Sequence, residues 1–422
     1  MLQWNDLHPY NAVHVVHVPV SPNLDHLRDT IGRTLESHGL TSLTIDRDRG
    51  IFQYEGGPAS VEIVPIAAGE NPEAALIGEI RRQLNAPFVL GERINPFRFF
   101  VLAERGAFSL GVAYFHAVAG AESLVLLMQD IVNTCLGREE RGLVRPVEIY
   151  PSTYGGWLRR HPGVMLRKLV SMPMLYSDLR RSARPIFRDA QDMSNGFDLF
   201  SLPADALHRL VAAGRSWDVT LNDLFLAVLL KAVAPLAADR ARSPRRSRLS
   251  IGSIVNIRRD LGVDSRRTFG LFLGSFVVTH AVPDDISVKS LALDVHGRTR
   301  RIKESRRFMG TPIDLACARL MTSFLTPERR AKFHQKYYPL WGGVTNMNLN
   351  TVWPEPGGRT TPVDYLRAVS TGPVTPLVLS ITTVREVINV GLSYRMTVFS
   401  PADIARVKGE FLNLIERLED PS

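Results

Sequence analysis

A single histidine follows a mainly apolar segment and precedes a run of very small residues. His116 comes directly after residues 108–115, and residues 117–121 are alanine, valine and glycine. Small residues let the backbone approach a ligand closely, and an imidazole can act as a general base near neutral pH. The pattern therefore indicates a candidate catalytic base at the end of a strand. The alternative interpretation is a structural histidine that is packed or hydrogen-bonded inside the fold.

Metal and thiol chemistry receive little support from the sequence. Cys135 and Cys317 lie far apart and make no CxxC pair, and no HExxH motif is present. His14 and His17 form an HxxH pattern on a predicted strand, where that spacing points the two side chains to opposite faces. We therefore expect no metal site and no cysteine nucleophile.

The segment around His116 resembles the HHxxxDG motif of the condensation-domain and chloramphenicol-acetyltransferase-like acyltransferases. His116 takes the place of the second, catalytic histidine, and an apolar helix pattern over residues 123–131 follows as it does in that family. Three motif positions differ, because Phe115 replaces the first histidine, Gly120 the aspartate and Ala121 the glycine. The resemblance implies that His116 keeps the catalytic role.

Four further segments resemble landmarks of the same family, in the family's order along the chain. They are a helix opening at 219–227, a strand ending in Asn-x-Arg at 255–258, a glycine–phenylalanine segment at 269–276 and a late site at Thr345-Asn346. The resemblance thus extends over nearly the whole chain. It implies an α/β fold with mixed sheets, in which two chloramphenicol-acetyltransferase-like halves, 1–185 and 186–422, form a V around a central tunnel.

The resemblance also implies a mechanism. Nε2 of His116 would take the proton of an amine or hydroxyl that attacks an acyl thioester. The motif loop and the late site would stabilise the oxyanion. The residues so assigned are Gly120, Ala121, Thr345 and Asn346 for the oxyanion, and Phe115, Gly270, Phe272 and Gly274 for the tunnel. No cofactor is expected to stay bound, and the donor is either a carrier protein bearing phosphopantetheine or coenzyme A.

The absence of the motif aspartate raises the question of which group pairs with the motif arginine. In the family this aspartate pairs with an arginine, for which Arg258 is the candidate, and Gly120 cannot supply the carboxylate. A buried arginine without partners would be strongly destabilising. We therefore expect Glu122, or solvent, to satisfy Arg258.

The chain is basic. Its 422 residues include 51 Lys and Arg against 42 Asp and Glu, a formal charge of +9. Such a balance attracts acidic partners. Arg245, Arg246 and Arg248 lie in a basic loop that could dock an acidic carrier protein or bind the phosphates of coenzyme A, or could simply be solvated. No basic helix with interleaved aromatic residues is present, which argues against nucleic-acid binding.

Hydrophobic periodicity predicts alternating strands and helices in both halves. For the first half we predict a strand at 14–20, a helix ended by Gly39, a helix begun by Asn71-Pro72 and a hairpin over 98–115. For the second half we predict strands at 197–201, 249–256, 272–282, 375–383 and 387–398, and helices at 207–211, 220–236, 288–307 and after Ser400-Pro401. The polar stretch 183–196 is predicted to connect the halves.

Location and a second function class complete the expectations. The chain shows no basic-then-apolar leader and no apolar run of about 18 residues, so we expect a cytoplasmic protein without a transmembrane segment. The fold can work as a monomer. The second class is a catalytically altered condensation-like protein that binds or recruits a partner. The replaced motif residues favour that class, whereas His116 among very small residues favours catalysis.

Overall fold

Two mixed sheets form the framework of the protein, which is described here by a computed structural model over residues 2–47, 49–138, 142–149, 154–243, 245–354 and 364–418. The strands are β1 Asn11–Val18, β2 Leu43–Asp46, β3 Ile51–Tyr54, β4 Ile63–Ile66, β5 Phe97–Glu104, β6 Ala107–Phe115, β7 Glu148–Ile149, β8 Asn195–Leu202, β9 Leu249–Asn256, β10 Thr268–Phe269, β11 Leu273–His280, β12 Gly342–Asn348, β13 Asp364–Val369, β14 Leu377–Val384 and β15 Val387–Arg395. The predicted α/β class with mixed sheets is confirmed.

Helices cover the faces of both sheets. They are α1 Leu2–Asn5, α2 Leu24–His38, α3 Pro72–Asn85, α4 Ala121–Cys135, α5 Tyr154–Arg160, α6 Pro162–Arg180, α7 Ala204–Ser216, α8 Leu221–Val233, α9 Arg258–Leu261, α10 Val288–Glu304, α11 Thr311–Ser323, α12 Pro327–Tyr337, α13 Leu349–Val352 and α14 Pro401–Glu416. Their ends follow local chemistry. Asn71 caps α3 and Ser400 caps α14, as predicted, while Gly39 ends α2 at a φ of 69°.

The first sheet has the strand order β13-β1-β6-β5-β4. β6 lies between β1 and β5 and pairs antiparallel with both. Gly106, with a φ of 76°, forms the turn of the predicted hairpin between β5 and β6. Alternate residues of β1 face opposite sides, so Val16 packs with α2 and α4 while Val15 packs with α3. The motif loop that follows β6 therefore leaves the sheet from a strand buried on both faces.

The second sheet has the order β11-β9-β12-β14-β15-β8 and packs around α8. A capping box between Thr220 and Asp223 begins this helix. The stretch Leu221–Ala238 is long and apolar enough to span a membrane, but 67% of it is buried inside the protein. That burial is typical of a core helix.

Strands from the second half of the chain pair with strands of the first half across the predicted boundary at 185/186. β13 lies late in the chain, yet it pairs with β1 and completes the first sheet. β10 pairs in parallel with β7, and its Phe269 packs in the core of the first sheet. The two parts of the chain are therefore interlocked by backbone hydrogen bonds.

Most predicted elements are confirmed, with shifts of a few residues at their ends. The first strand spans Asn11–Val18 rather than 14–20. The sequence analysis missed four strands, β7, β10, β12 and β13, and seven helices, α1, α5, α6, α9, α11, α12 and α13. Pro173 stands inside α6, which made a continuous helix difficult to recognise.

Candidate functional site

His116 lies immediately after β6, on the loop that leads into α4. Its Nδ1 is 3.1 Å from the carbonyl oxygen of Ala119. A carbonyl can only accept a hydrogen bond, so Nδ1 carries the proton and Nε2 carries the lone pair. This is the tautomer that a general base requires. The backbone of the same residue is held as well, because its N–H donates to the carbonyl of Tyr10 over 3.1 Å.

Aromatic rings surround the imidazole on two sides. Tyr10 stacks on His116 with ring centroids 5.3 Å apart, and Tyr114 meets it edge-on at 5.6 Å. The residue as a whole is partly exposed, and Nε2 is neither hydrogen-bonded to a described residue nor among the enclosed polar atoms that lack a partner. Nε2 therefore has no hydrogen-bond partner among the described residues and is not fully enclosed.

Burial sets the protonation state of His116. Desolvation lowers the pKa of the imidazole to about 4; the hydrogen bond to Ala119 opposes this shift, and the positive charge of Arg367 adds to it. The imidazole is therefore neutral across the physiological pH range. It is always ready to accept a proton, although a lowered pKa makes it a weaker base.

This lowered pKa predicts an unusual pH profile. If the neutral imidazole is the active form, kcat/KM should stay constant from pH 8 down to about pH 5 and fall to half near pH 4. A histidine at its ordinary pKa of about 6.5 would lose activity about 2.5 pH units higher. Measuring kcat/KM against pH, with circular dichroism over the same range to confirm folding, separates the two. A midpoint near 6.5 would show that the imidazole is more solvated than its surroundings indicate.

The motif loop is tied to the second half of the chain through Gly270. The N–H of Gly120 donates to the Gly270 carbonyl over 3.0 Å, and Ser123 Oγ lies 3.1 Å from both the N–H and the carbonyl oxygen of Gly270. The Gly120 N–H is therefore committed, which removes it from the predicted oxyanion donors. Ala121 begins α4, and Gly120 provides no side-chain cap for that helix.

Arg258 reaches the same point from the opposite side. Its guanidinium donates to Thr268 Oγ1 over 2.7 Å and to Ser123 Oγ over 2.5 Å, and it lies 4.3 Å above the ring of Phe272. The predicted ion pair with Glu122 is wrong. The Glu122 carboxylate instead accepts from the side-chain amide of Asn256, whose Oδ1 accepts from the backbone N–H of Arg258. Among the described residues, hydroxyl and carbonyl oxygens of Ser123, Thr268 and Gly270 accept hydrogen bonds from the guanidinium.

Replacing Gly120 by aspartate, the residue that the family motif has at this position, is predicted to stabilise the fold. Gly120 has ordinary extended dihedrals, and a Cβ there would meet its nearest atoms at 3.6 Å or more. An Asp side chain would cap α4 and approach Arg258, which shares the Gly270 carbonyl with Gly120. We expect Gly120→Asp to raise the free energy of unfolding by roughly 0.5–1 kcal/mol. Gly120→Ala is the control in denaturant unfolding; equal stabilities of the two variants would contradict the prediction.

The late site connects to His116 through a buried arginine. Arg367, on β13, donates to the Thr345 carbonyl over 3.1 Å and to Thr382 Oγ1 over 2.8 Å. Burial lowers its pKa to about 10, so it stays charged at neutral pH. Asn346 has its Oδ1 enclosed without a partner among the described residues. The Thr345 backbone oxygen is thus occupied, and the predicted oxyanion role of Thr345 and Asn346 rests on their side chains.

A cavity of about 890 Å³ opens beside the motif loop. Phe115 and Ala117, the two neighbours of His116, line it together with residues of α1, α6, α11 and β11. His116 itself is not part of the lining, because its ring turns toward Tyr10 and Tyr114. The volume suits a ligand of ordinary cofactor or drug size.

The predicted tunnel residues have different roles in the structure. Phe115 lines the cavity. Gly270 holds the motif loop, Phe272 packs under Arg258, and a Cβ on Gly274 would come within 2.8 Å of the Phe308 carbonyl oxygen. Gly274 therefore allows close packing of β11. The cavity wall beside β11 is formed instead by the residues that follow Gly274 on this strand, including Phe276.

Of the three predicted docking arginines, two bind other groups of the protein. Arg245 is exposed, Arg246 donates to the Ser182 carbonyl over 3.2 Å, and Arg248 forms a 2.7 Å ion pair with Asp178. Arg246 and Arg248 thus hold the loop to the end of α6. Arg245 is the member of the three whose charge remains available to a partner.

The histidines of the HxxH pattern have separate partners. His14 Nδ1 is 2.7 Å from the Tyr365 hydroxyl, and His17 Nδ1 is 3.3 Å from Ser109 Oγ. The residues that the structure describes hold no cluster of three metal-ligating side chains. The HxxH spacing therefore reflects two positions on β1 with different surroundings.

Comparison with known proteins identifies the fold. No protein-family model matches the sequence, and no curated protein matches it. A condensation domain of the calcium-dependent antibiotic synthetase, bound to a substrate analogue, matches at 15% identity and a TM-score of 0.68, over 99% of this chain and 92% of its own. The chain has the condensation-domain fold. This confirms, for the fold, the resemblance carried by the motif around His116.

The condensation-domain fold serves more than one reaction. A cyclization-docking bidomain of a nonribosomal peptide synthetase from Sorangium cellulosum matches at 14% identity and a TM-score of 0.70, over 98% of this chain and 81% of its own. The epimerization domain from the third module of tyrocidine synthetase B matches at 17% identity and a TM-score of 0.63, over 98% and 92%. The reaction must therefore be argued from this chain's own site.

Sequence reasoning missed three groups that shape the site. They are Tyr10, which stacks on the imidazole, the Ala119 carbonyl, which sets the tautomer, and Arg367. The carbonyl three residues after the histidine could have been anticipated from a tight turn. Tyr10 and Arg367 come from distant parts of the chain, and their places depend on the pairing of β13 with β1.

Proposed function

We propose that this protein transfers an acyl group from a thioester to an amine or hydroxyl, with His116 as the general base. One observation carries the proposal: Nδ1 of His116 is held by the Ala119 carbonyl, so the lone pair lies on Nε2, which has no hydrogen-bond partner among the described residues and is not fully enclosed. The fold of condensation and cyclization domains supports the same reaction class.

The chemistry needs no covalent intermediate on the protein. The nucleophile attacks the thioester carbonyl while Nε2 of His116 accepts its proton. The carbonyl oxygen becomes an oxyanion, which a backbone N–H near Ala121 and the side chains of Thr345 and Asn346 would stabilise. Collapse of this intermediate forms the C–N or C–O bond and breaks the C–S bond. The imidazolium then returns the proton to the departing thiolate.

A carrier protein is the proposed donor, and coenzyme A is the alternative. Carrier proteins are acidic as a class, and this chain carries a formal charge of +9. The cavity beside His116 could receive the acyl chain, and its polar rim includes Arg298, Arg301, Arg307 and Arg319. Those arginines could meet the phosphate of either donor.

The donor can be identified by reversing one exposed charge. Arg245→Glu should raise KM for an acyl-carrier donor by roughly threefold, an effect that salt weakens, and should leave a short pantetheine thioester unaffected. Arg105→Glu, at the exposed hairpin turn, is the matched control. Equal responses of both donors would show that the loop does not dock a carrier. Better turnover with acyl-coenzyme A than with any acyl-carrier protein would favour the alternative donor.

A binding or recruitment role is the second candidate function. It is favoured by Gly120, which stands where the motif has aspartate. Single-turnover mixing of the protein with an acyl-pantetheine and a panel of amines and alcohols distinguishes the two. We expect thiol release together with an acylated product. A thioester that binds but is not transferred to any acceptor would favour the recruitment role.

A further inference from the structure

Helix α6 presents a continuous apolar strip to solvent. Its members recur at positions i, i+1, i+4, i+5 and i+9, so they share one face of the helix. Val170 is 72% exposed and Leu166 is 64% exposed. The α6 strip consists of Met165, Leu166, Leu169, Val170 and Met174. Apolar patches of this kind on a folded protein mark interaction sites.

A neighbouring helix extends the exposed apolar surface. Leu320, Met321 and Phe324 lie at i, i+1 and i+4 near the end of α11, and Phe324 is 86% exposed. An ion pair of 2.5 Å between Lys168 of α6 and Asp314 joins the two helices. Both helices also line the cavity beside His116, and Met174 of the α6 strip contributes to that lining. The exposed strips therefore flank the wall of the candidate active site.

The charge around the α6 strip has one sign. The segment 154–181 contains a single acidic residue, Asp178, and its carboxylate is bound by Arg248. Five arginines of this segment are exposed and lie before, beside and after the strip. They are Arg159, Arg160, Arg167, Arg180 and Arg181. Exposed apolar side chains flanked by arginines suit the surface of an anionic membrane, where acyl chains meet the first group and lipid phosphates the second.

We propose that α6 and the end of α11 dock the protein onto an anionic lipid bilayer. The α6 strip, from Met165 to Met174, covers about 14 Å of the helix, enough to place several apolar side chains among the acyl chains. The arginines would meet the lipid phosphates, each adding to the attraction. An acidic protein with an apolar surface is the other possible occupant, and with that partner the protein would stay in solution when vesicles are added. Docking in this orientation would bring the cavity wall against the lipid surface.

Co-sedimentation with vesicles tests the proposal on the full chain, independently of acyl transfer. The wild-type protein is expected to sediment with phosphatidylcholine vesicles that contain phosphatidylglycerol, and less with phosphatidylcholine alone. Leu166→Asp/Val170→Asp should weaken binding by at least about tenfold, and Phe324→Asp should weaken it as well. Arg180→Glu/Arg181→Glu should remove the preference for phosphatidylglycerol. Val89→Asp, at an apolar residue that is 84% exposed elsewhere, is the matched control.

Three results would overturn the proposal. The first is a wild-type protein that stays in solution with phosphatidylglycerol vesicles. The second is equal binding by the α6 variants and Val89→Asp. The third is a dimer, seen by light scattering, that the α6 variants dissociate without any vesicle binding, since the surface would then join two copies of the chain. Thermal unfolding of each variant checks that it is folded, and all the substituted residues are exposed.

Discussion

Replacing His116 by alanine is expected to lower the single-turnover rate of acyl transfer by about 10²–10⁴-fold. The imidazole supplies the lone pair that accepts the nucleophile's proton, and its tautomer is set by the 3.1 Å contact with the Ala119 carbonyl. Binding of the thioester should change little, because His116 does not line the cavity. Rapid mixing with an acyl-pantetheine and a saturating amine measures the rate directly.

His208→Ala provides the matched control for that experiment. His208 is exposed on α7, with 68% of its side chain accessible, and should leave the rate unchanged. Circular dichroism and the unfolding midpoint confirm that both variants are folded. A His116→Ala protein that is folded and transfers at the wild-type rate would assign His116 to structure and move the search for the base elsewhere.

Replacing Arg258 by alanine should lower the free energy of unfolding by roughly 3–5 kcal/mol. The guanidinium is buried and donates to Thr268 and Ser123, so its removal leaves enclosed oxygens without donors. The Ser123 hydroxyl also holds Gly270, which in turn holds Gly120. The motif loop should therefore loosen and transfer should slow as well.

Two further variants separate the contribution of charge from that of geometry. Arg258→Lys keeps the charge but cannot reach Thr268 and Ser123 together, so its stability should fall between those of wild type and Arg258→Ala. Arg259→Ala removes an exposed neighbour and should change stability by no more than about 0.5 kcal/mol. Chemical denaturation of the three variants gives the comparison. A small effect of Arg258→Ala would mean that Ser123 and Gly270 are held by other groups.

The parts of the fold that local patterns control could be predicted from the sequence. Asn71 and Ser400 cap their helices, Gly39 ends one, and the hairpin of β5 and β6 turns where glycine permits it. These features depend on residues only a few positions apart. His116 was found for the same reason, since a strand, a histidine and small residues stand consecutively.

The parts that depend on distant pairing could not be predicted. The missing aspartate suggested Glu122 as the partner of Arg258, because Glu122 is the carboxylate nearest in sequence to position 120, where the motif aspartate would stand. In the structure Ser123 and Thr268 provide the acceptors, and Thr268 comes from a strand that pairs with β7. A hydroxyl is a common side chain, and no spacing marks one that will accept from a buried guanidinium.

The pairing of β1 with β13 affects how the protein can fold during its synthesis. β1 ends at Val18 and its partner begins at Asp364, so one edge of the first sheet stays unpaired until residues 364–369 have left the ribosome. At ordinary elongation rates this interval lasts on the order of 20–70 seconds. During this interval the unpaired backbone N–H and C=O groups of β1, a strand that is buried in the folded protein, are accessible to other chains. The nascent protein should therefore depend on chaperones, and a fragment ending before residue 364 should aggregate.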